Sequence, residues 1–526
     1  MATFDGIVIG GGHNGLTCAA YLARAGLRIA VIERNPTIGG GCMTEEVTLP
    51  GFKHNLHANF HLNTDGPVIT DLELHRYGLE YIFPDVQQGI AFDDGTGFCV
   101  HRDIDKTVAS IARLNRADAE RYRELHELFA VQGRDFFVRT LFSPPAALEE
   151  LGGPIAEEVT GFAKLSAAEA VERTFEDERV RCLFKSFPFG TTPLDMPGLG
   201  GFLPRIISRL DRFAVPRGGS YALPLALGRV VEEAGGTLVT GAHVEEIVVK
   251  GGRAVGVRLA GGEAHTAERF VASGIDVGQT VALAGADLFG GELSAKVEGL
   301  AWSPHSLLTL HLALEAPPEL AAAAFEPDLD RAYNTFFGVT TGQELAEMAD
   351  GMGEGTLPAR LHGNGACNTR FDPSYAPPGK HTAFWWPFAP YALDGDASTW
   401  DDPDRRAAVE ADMLRQWRGF APNLTDDNVL GTYLFTPLDV ERTCITMQRG
   451  SYRGMADIPS QMEGNRPTPE LSRFRTPVEG LYLCSSTSHP GGGVTCGPGY
   501  NAANAIADDM GVDRWWPRLP HPASGA

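Results

Sequence analysis

The feature that most constrains this chain is a glycine-rich turn directly after its first apolar run. Residues 6–9 (Gly-Ile-Val-Ile) are typical of a buried parallel strand. The turn places Gly10, Gly12 and Gly15 at the glycines of a G-x-G-x-x-G pattern. A second apolar run at 29–32 ends in Glu33, roughly 20 residues later. Strand, turn, helix, strand and acid in this order predict a Rossmann-type dinucleotide-binding unit.

Each part of this unit has a separate task. Gly10 permits the tight turn, Gly12 lets the backbone approach a pyrophosphate, and Gly15 allows the helix to pack closely on the strand. The helix N-terminus offers free N–H groups to the phosphates, and Glu33 accepts the ribose hydroxyls. The nucleotide-binding residues predicted here are Gly10, Gly12, Asn14, Gly15, Glu33 and Arg34.

A second glycine-rich turn favours FAD over NAD as the cofactor. Residues 39–41 are all glycine and Cys42 follows them. A turn just after the ribose acid indicates a cofactor that extends past the pyrophosphate. The segment resembles the double-glycine segment of glutathione-reductase-type FAD proteins, but Gly41-Cys42 stands where many of them have an arginine. We therefore expect backbone N–H groups around Gly40, Gly41 and Cys42 to neutralise the phosphates.

Short apolar runs between paired glycines predict a β-meander in the middle of the chain. The runs are 237–240, 244–249, 254–259 and 270–272, and the glycine pairs at 251–252 and 261–262 indicate hairpin turns. Flavoproteins of this type insert such a meander between the halves of the nucleotide domain. Val244 is predicted to place its backbone against the adenine.

The last glycine cluster follows a predicted strand at 480–484. Residues 489–503 read His-Pro-Gly-Gly-Gly-Val-Thr-Cys-Gly-Pro-Gly-Tyr-Asn-Ala-Ala, and a helix is predicted from about Tyr500. The positive end of its dipole would face a flavin and favour hydride acceptance. No second G-x-G-x-x-G with a downstream acid follows, so a second dinucleotide is not predicted. The predicted flavin contacts are Gly492, Gly493, Val494, Gly499 and Tyr500.

Five sequence blocks carry a family resemblance. They are the opening fingerprint and residues 51–57, 216–219, 376–381 and 489–503. Through them the chain resembles the phytoene (carotenoid) desaturase-like FAD-dependent oxidoreductases, and within these the branch called pyridine nucleotide-disulphide oxidoreductase domain-containing protein 2. None of the eight cysteines forms a C-x-x-C pair, so a dithiol centre is not expected. The resemblance implies FAD, a three-part fold, and dehydrogenation, isomerisation or oxidation of a largely apolar substrate.

Candidate catalytic groups lie in the segment 54–61, which in this family passes beside the flavin ring. In an extended stretch, His57 and Asn59 lie on one side. A neutral histidine can accept the proton that desaturation removes, although these side chains can equally well only shape the pocket. Tyr500 is the next catalytic candidate. The predicted substrate contacts are Trp385, Trp386 and His61, and no metal site is predicted.

The predicted fold class is α/β: a glutathione-reductase-type FAD-binding Rossmann domain with an inserted β-meander and a mixed α+β substrate domain. The FAD-binding domain is predicted to comprise 1–65, 216–290 and 430–515, and the substrate domain 66–215 and 291–429. Residues 516–526 are predicted to form a tail that could dock on a partner subunit, so a homodimer is one possible assembly.

Charge and composition limit the partners. The net charge of −23 argues against nucleic acid and against an anionic membrane surface. The apolar residues of 136–145 are nevertheless compatible with peripheral membrane contact, and a packed helix end is the alternative. With no signal peptide or membrane span recognised, we expect a cytoplasmic protein with free thiols.

The leading functional hypothesis is an FAD-dependent dehydrogenase, or desaturase, that introduces a C=C bond into an apolar substrate: a polyene, a cyclic compound or a carbonyl-activated one. Hydride would pass to the flavin, and oxygen or a quinone would reoxidise it. The alternatives are a flavin amine oxidase, a redox-neutral flavin-dependent isomerase, and a flavin-stabilised scaffold without activity.

Overall fold

A computed structural model describes residues 2–62, 64–146, 151–303 and 305–519, which build two large β-sheets and the helices around them. The strands are β1 Thr3–Ile9, β2 Ile29–Ile32, β3 Thr44–Glu45, β4 His54–Asn55, β5 Tyr81–Ile82, β6 Val86–Ala91, β7 Gly97–His101, β8 Val215–Pro216, β9 Thr237–Val239, β10 Val244–Lys250, β11 Arg253–Leu259, β12 Ala264–Ser273, β13 Ser306–Leu307, β14 Thr309–Leu314, β15 Asn334–Phe337, β16 Gly363–Ala366, β17 His381–Ala389, β18 Val429–Phe435 and β19 Leu481–Leu483. The α-helices are α1 His13–Arg24, α2 Pro67–Asp71, α3 Ile104–Ala112, α4 Arg116–Leu125, α5 Arg134–Leu141, α6 Pro154–Ala163, α7 Ala167–Thr174, α8 Glu178–Phe189, α9 Phe202–Ile207, α10 Ala222–Glu233, α11 Val277–Ala284, α12 Gly291–Glu298, α13 Gly342–Gly353, α14 Pro403–Phe420, α15 Pro437–Thr443 and α16 Gly497–Met510. Residues 126–132 form a π-helical segment after α4.

The first sheet has the strand order β10-β11-β12-β1-β2-β9, with β19 paired to β12. Its centre is parallel, and β1 and β2 are rich in Ile and Val because both of their faces are covered. Helices α1, α10 and α16 pack on one face. Helices α11 and α12 pack on the other face. This arrangement is an α/β fold with a Rossmann-like unit at its N-terminus.

The first predicted run of the meander is wrong in its pairing. Thr237–Val239 does not join the antiparallel hairpins but lies parallel to β2 at the sheet edge. The run that ends the meander is longer than expected, since β12 pairs antiparallel with β11 and then parallel with β1. One long strand therefore belongs to both the meander and the parallel sheet.

The second sheet has the order β18-β14-β17-β16-β15-β6-β7, with β13 paired to β17. Helix α14 packs on one face through Val409, Met413 and Trp417. Strand Val429–Phe435 is antiparallel to β14 in this sheet. The boundary expected at residue 430 therefore differs from the pairing, because the hydrogen bonds of this strand join it to the second sheet.

The described part of the C-terminal tail packs on its own chain. Trp515 stacks on Tyr21 of α1 at 5.5 Å between ring centroids, and its indole N–H donates to the Tyr21 carbonyl at 3.1 Å. Trp516 donates to Asn504 of α16 at 3.2 Å. Trp515, next to the predicted tail, stays 38% exposed, and docking of the tail on a partner subunit stays a prediction. Residues 520–526 lie outside the described residues.

Candidate active site

A cavity of about 420 Å³ lies at the carboxyl ends of β1, β2 and β12 and reaches the second sheet. We call one part of its lining the nucleotide end: Gly10, Gly12, Asn14, Gly15, Glu33, Arg34, Val244, Gly274 and Gln279. We call the other part the apolar end: His57, Phe60, Leu62, Trp386, Met447, Tyr452 and Arg453. Residues Gly40, Gly41 and Cys42 also line the cavity.

The glycine turn fits the role that its spacing predicts. Gly10 has a φ of +93°, which favours glycine, and a Cβ on Gly15 would lie 2.3 Å from the Gly10 carbonyl oxygen. Helix α1 can therefore start directly against the turn. Its N-cap is Gly12, and within the described residues no side chain caps this end. The first N–H groups of α1 are thus left for a ligand.

Glu33 organises the same turn. One carboxylate oxygen accepts from the Gly11 N–H and the other from the Asn35 N–H, both at 2.7 Å. The side chain is buried at the end of β2. Two of its roughly four acceptor positions are used in this way, so the others can accept ribose hydroxyls.

Several polar atoms at the nucleotide end lack a partner among the described residues: His13 Nε2, Asn14 Oδ1 and Gln279 Oε1. Burial lowers the pKa of His13 to about 4, so its ring is neutral at pH 7. Buried polar atoms normally have hydrogen-bond partners. A set of acceptors and donors left open around a glycine turn is what a bound dinucleotide would complete.

The second glycine turn packs directly on the first. Gly39 N–H donates to the Gly11 carbonyl at 2.8 Å, and a Cβ on Gly40 would lie 3.0 Å from the Gly12 Cα. Cys42 is buried with its Sγ 3.7 Å from His13 Nδ1. Burial raises the pKa of the Cys42 thiol well above its ordinary value, so it stays protonated.

His57 sits at the apolar end with one ring nitrogen open. Its Nε2 lies 3.1 Å from the Thr443 hydroxyl, and this hydroxyl donates to the Asp439 carbonyl at 2.9 Å. When this hydroxyl donates its single proton to the backbone carbonyl, His57 Nε2 carries the proton between His57 and Thr443. Nδ1 is then an unprotonated acceptor, and it has no partner among the described residues. Burial lowers the pKa of His57 to about 4.

Asn59 lines the cavity as well, but its side chain is committed to neighbours. Its Oδ1 accepts from Asn55 at 3.0 Å and from Asn368 at 2.7 Å, and its Nδ2 donates to the Tyr333 hydroxyl at 3.1 Å. These bonds tie the 54–61 segment to the second sheet. The geometry gives Asn59 a positioning role.

Trp386 and Trp385 occupy opposite faces of β17, as neighbouring residues of a strand do. Trp386 lines the cavity. Trp385 packs against Phe337 at 4.9 Å on the face covered by α14. Trp385 therefore does not line the cavity, and its placement does not support the substrate role predicted for it. The alternation of side chains along a strand was the signal that only one of the pair could reach a ligand.

Four other predicted residues lie away from the cavity. Tyr500 packs edge-on against Tyr21 at 5.3 Å, and its hydroxyl donates to the Pro517 carbonyl at 3.2 Å. His61 is held by Tyr81 at 2.7 Å and by Ser220 at 3.1 Å. The remaining two residues are glycines at positions of close packing. A Cβ on Gly499 would lie 2.1 Å from the Asn14 carbonyl oxygen, and a Cβ on Gly492 would lie 2.0 Å from the Arg453 carbonyl oxygen.

The correction at Tyr500 has a simple cause. Helix α16 begins at Gly497 and packs along α1, so its first turn is buried between elements and does not face the cavity. Gly493 and Val494 precede this helix, were predicted as flavin contacts, and line the cavity. The loop reaches the site, and the helix that follows does not.

Sequence reasoning did not identify several lining residues: Gly274, Gln279, Met447, Tyr452 and Arg453. Gly274 directly follows the strand β12, and a glycine at the carboxyl end of a parallel strand was a usable signal. The segment 444–453 carries no motif. The tertiary fold brings it to the cavity, where the Ile445 carbonyl accepts from Gln279 of α11 at 2.9 Å.

Comparison with known proteins agrees with this geometry. Residues 8–72 match the family model of an NAD(P)-binding Rossmann-like domain. A lycopene-forming phytoene desaturase from a Paracoccus species is 26% identical, with 96% of each chain covered. The pyridine nucleotide-disulfide oxidoreductase domain-containing protein 2 of Rattus norvegicus is 28% identical over 96% of this chain and 94% of its own.

A limonene dehydrogenase subunit of Castellaniella defragrans is 31% identical, over 97% of this chain and 96% of its own. The chain belongs to the carotenoid desaturase-like FAD-dependent oxidoreductases. The predicted family and its branch are thereby confirmed, as are FAD and oxidoreductase activity. A solved putrescine oxidase variant shares the fold, with a TM-score of 0.62 at 14% identity over 97% of this chain and 99% of that one.

The residues present fit the FAD that this family uses. The uncapped start of α1, the free acceptor positions of Glu33 and the three open polar atoms lie together at the nucleotide end. Gly10, Gly12, Gly40 and Gly41 keep this region clear of side chains. None of the helices that the structure describes has the length and apolar character needed to cross a bilayer.

Proposed function

We propose that this protein is a dehydrogenase that introduces a C=C bond into an apolar substrate. The observation that carries the proposal is the position of His57, whose buried Nδ1 has no hydrogen-bond partner among the described residues, in an otherwise mostly apolar wall of the FAD cavity. Phe60, Leu62, Trp386 and Met447 provide this wall. The names of the relatives, a limonene dehydrogenase subunit and a phytoene desaturase, support the same class of reaction.

Bound FAD supplies a two-electron acceptor that takes a hydride from carbon. Loss of that hydride leaves the substrate carbon electron-poor, and the C–H bond on the adjacent carbon becomes strongly acidic. His57 Nδ1 accepts this proton, and the electron pair of the C–H bond becomes the second bond of C=C. A base with a low pKa is sufficient for so acidic a proton, and it releases the proton readily afterwards.

The surrounding residues keep His57 in its reactive form. Thr443 fixes the tautomer through Nε2, and Phe435 holds the ring edge-on at 5.2 Å. Burial keeps the imidazole neutral, and the apolar side chains exclude water from the substrate carbon. Asn59 positions the segment that carries His57.

The domain division follows from the same proposal. The first sheet and its helices would form a glutathione-reductase-type FAD domain, and the second sheet would supply the substrate wall through Trp386. Oxygen or a quinone would reoxidise the flavin. The substrate would be a polyene, a cyclic hydrocarbon or a carbonyl-activated ring.

Anaerobic flavin bleaching against a substrate panel tests the proposal. Cyclic terpenes, polyenes, cyclic ketones and primary amines are each mixed with the oxidised holoenzyme, and the visible flavin absorbance is followed together with product analysis. We expect bleaching by a compound of the first three groups and a product two hydrogens poorer with a new C=C bond. Bleaching by amines alone, or turnover without any net oxidation, would overturn it.

A further inference from the structure

The glycine loop 491–493 encloses two arginine side chains. A Cβ on Gly491 would lie 3.1 Å from the Arg466 guanidinium carbon, and one on Gly493 would lie 3.2 Å from Arg453 Nη1. At the position between them, the Arg453 carbonyl leaves no room for a Cβ on Gly492. The glycines that the sequence associates with flavin contact therefore also serve to admit two cationic side chains.

These arginines share one carboxylate. Arg453 donates to Asp457 Oδ2 through Nε at 3.1 Å and Nη2 at 2.8 Å. Arg466, which is 1% exposed, donates to Asp457 Oδ1 at 3.2 Å and to the Ser486 carbonyl at 3.0 Å. Burial alone would raise the pKa of Asp457, but the charges of Arg453 and Arg466 hold it below its ordinary value. The cluster of two arginines and one aspartate thus carries a net charge of +1.

One member of this cluster, Arg453, lines the cavity. Arg453 and Ser486 both line the cavity, beside Gly493. Arg453 Nη1 forms no hydrogen bond with any described residue, whereas Nε and Nη2 are engaged by Asp457. At the same end, His57 is neutral. Another cationic side chain in the lining, Arg34, belongs to the nucleotide end beside Glu33.

We propose that Arg453 is a fixed positive charge that stabilises the negative charge left on FAD by two-electron reduction. Two arginines share one aspartate, so the buried cluster has one positive charge in excess, and an anion that arrives beside Nη1 is bound strongly. Asp457 and Arg466 are positioning residues, because their bonds fix the guanidinium before the charge develops. The role is the one that the dipole of α16 was expected to fill, and it depends on FAD binding but not on the substrate.

The reduction potential of bound FAD tests this inference. Arg453→Met keeps the length of the side chain and removes its charge. We expect the equilibrium constant between oxidised and reduced bound FAD to shift about tenfold toward oxidised FAD. This shift lowers the two-electron potential by about 30 mV. Sulfite, a small anion that adds to oxidised flavins, should bind about tenfold more weakly. Arg453→Lys retains the charge and should keep both values within about threefold of the unmodified protein.

The control is Arg415→Met, which removes the same charge from an exposed position on α14. Its potential should match that of the unmodified holoenzyme. An Arg453→Met protein that holds FAD at full stoichiometry with an unchanged potential overturns the inference, and so does a change confined to substrate KM. If Arg453→Met does not fold, Asp457→Asn decides the matter: removing the counter-charge should raise the potential, and an equal or lower potential contradicts the inference.

Discussion

The nucleotide end of the cavity is lined mainly by one stretch of chain, residues 10–34, whereas the apolar end combines side chains from 57–62, 386 and 447–453. At the nucleotide end, the features that fit a ligand are mainly backbone groups and glycines without side chains. At the apolar end, the identity and orientation of individual side chains matter. The first kind of site is specified by local spacing, and the second only by the tertiary fold. Mutations should therefore act differently at the two ends.

The largest effect of a substitution on stability and FAD binding is expected at the nucleotide end, where the glycine turn leaves no space for a side chain. In Gly15→Ala, the new Cβ would lie 2.3 Å from the Gly10 carbonyl oxygen and force α1 away from the turn. We expect a loss of roughly 3 kcal/mol in the free energy of unfolding and loss of tightly bound FAD. Urea denaturation and the FAD content of the purified protein measure this.

The matched control for that change is Gly161→Ala in helix α6, where a Cβ meets nothing within 4 Å. It should stabilise the protein by up to about 1 kcal/mol, since alanine favours a helix over glycine. If Gly15→Ala behaved like Gly161→Ala, the close packing at the turn would not be what the nucleotide end requires.

At the apolar end, His57→Gln should slow the chemistry and spare FAD binding. Loss of the proton acceptor is expected to reduce the rate of anaerobic flavin reduction about 100-fold or more. FAD affinity should stay the same, because His57 belongs to the other end. Stopped-flow reduction with the substrate found in the bleaching panel measures the rate, and an unchanged rate would remove His57 as the base.

The pH dependence of the same rate provides a second readout. Only unprotonated His57 accepts a proton, so the rate should be flat at neutral pH and fall to half near pH 4, the value to which burial lowers its pKa. An exposed histidine would give a midpoint near 6.5. In His57→Gln, this acid limb should disappear from the profile.

Glu33→Gln should have a smaller effect, confined to the nucleotide end. The amide oxygen can accept from only one of the Gly11 and Asn35 N–H groups, the amide NH2 faces the other as a second donor, and the charge that strengthens both bonds is lost. We expect about 2 kcal/mol less stability and about tenfold weaker FAD binding, with an unchanged reduction rate at saturating FAD. Glu263→Gln, at an exposed turn, is the control and should change neither quantity.

The smallest effect is expected for Tyr500→Phe. This change removes two long hydrogen bonds, one that the hydroxyl donates to the Pro517 carbonyl and one that it accepts from the Leu519 N–H, and costs about 1 kcal/mol of stability. The reduction rate should not change, because the ring lies between α1 and α16 and not in the cavity. A marked fall in rate with FAD retained would contradict the placement of Tyr500.

The limits of prediction follow the same division. Gly10, Gly12, Gly15 and Glu33 could be placed from spacing because strand, turn and helix are neighbours along the chain. Trp386 could be found, but separating it from Trp385 required knowing which face of β17 is turned to the cavity. Arg453 carried no sequence signal, since its role arises from a glycine loop some 40 residues away.

The contact between Trp515 and Tyr21 joins residues 494 positions apart. Helix α1 is synthesised nearly 500 residues before Trp515, so its apolar flank is covered by α16 and by this segment only after those later residues have emerged. At elongation rates of about 5–20 residues per second, that interval lasts roughly 25–100 s. During that interval the flank of α1 lacks this cover, and the packing around the glycine turn is completed only when both distant segments are present.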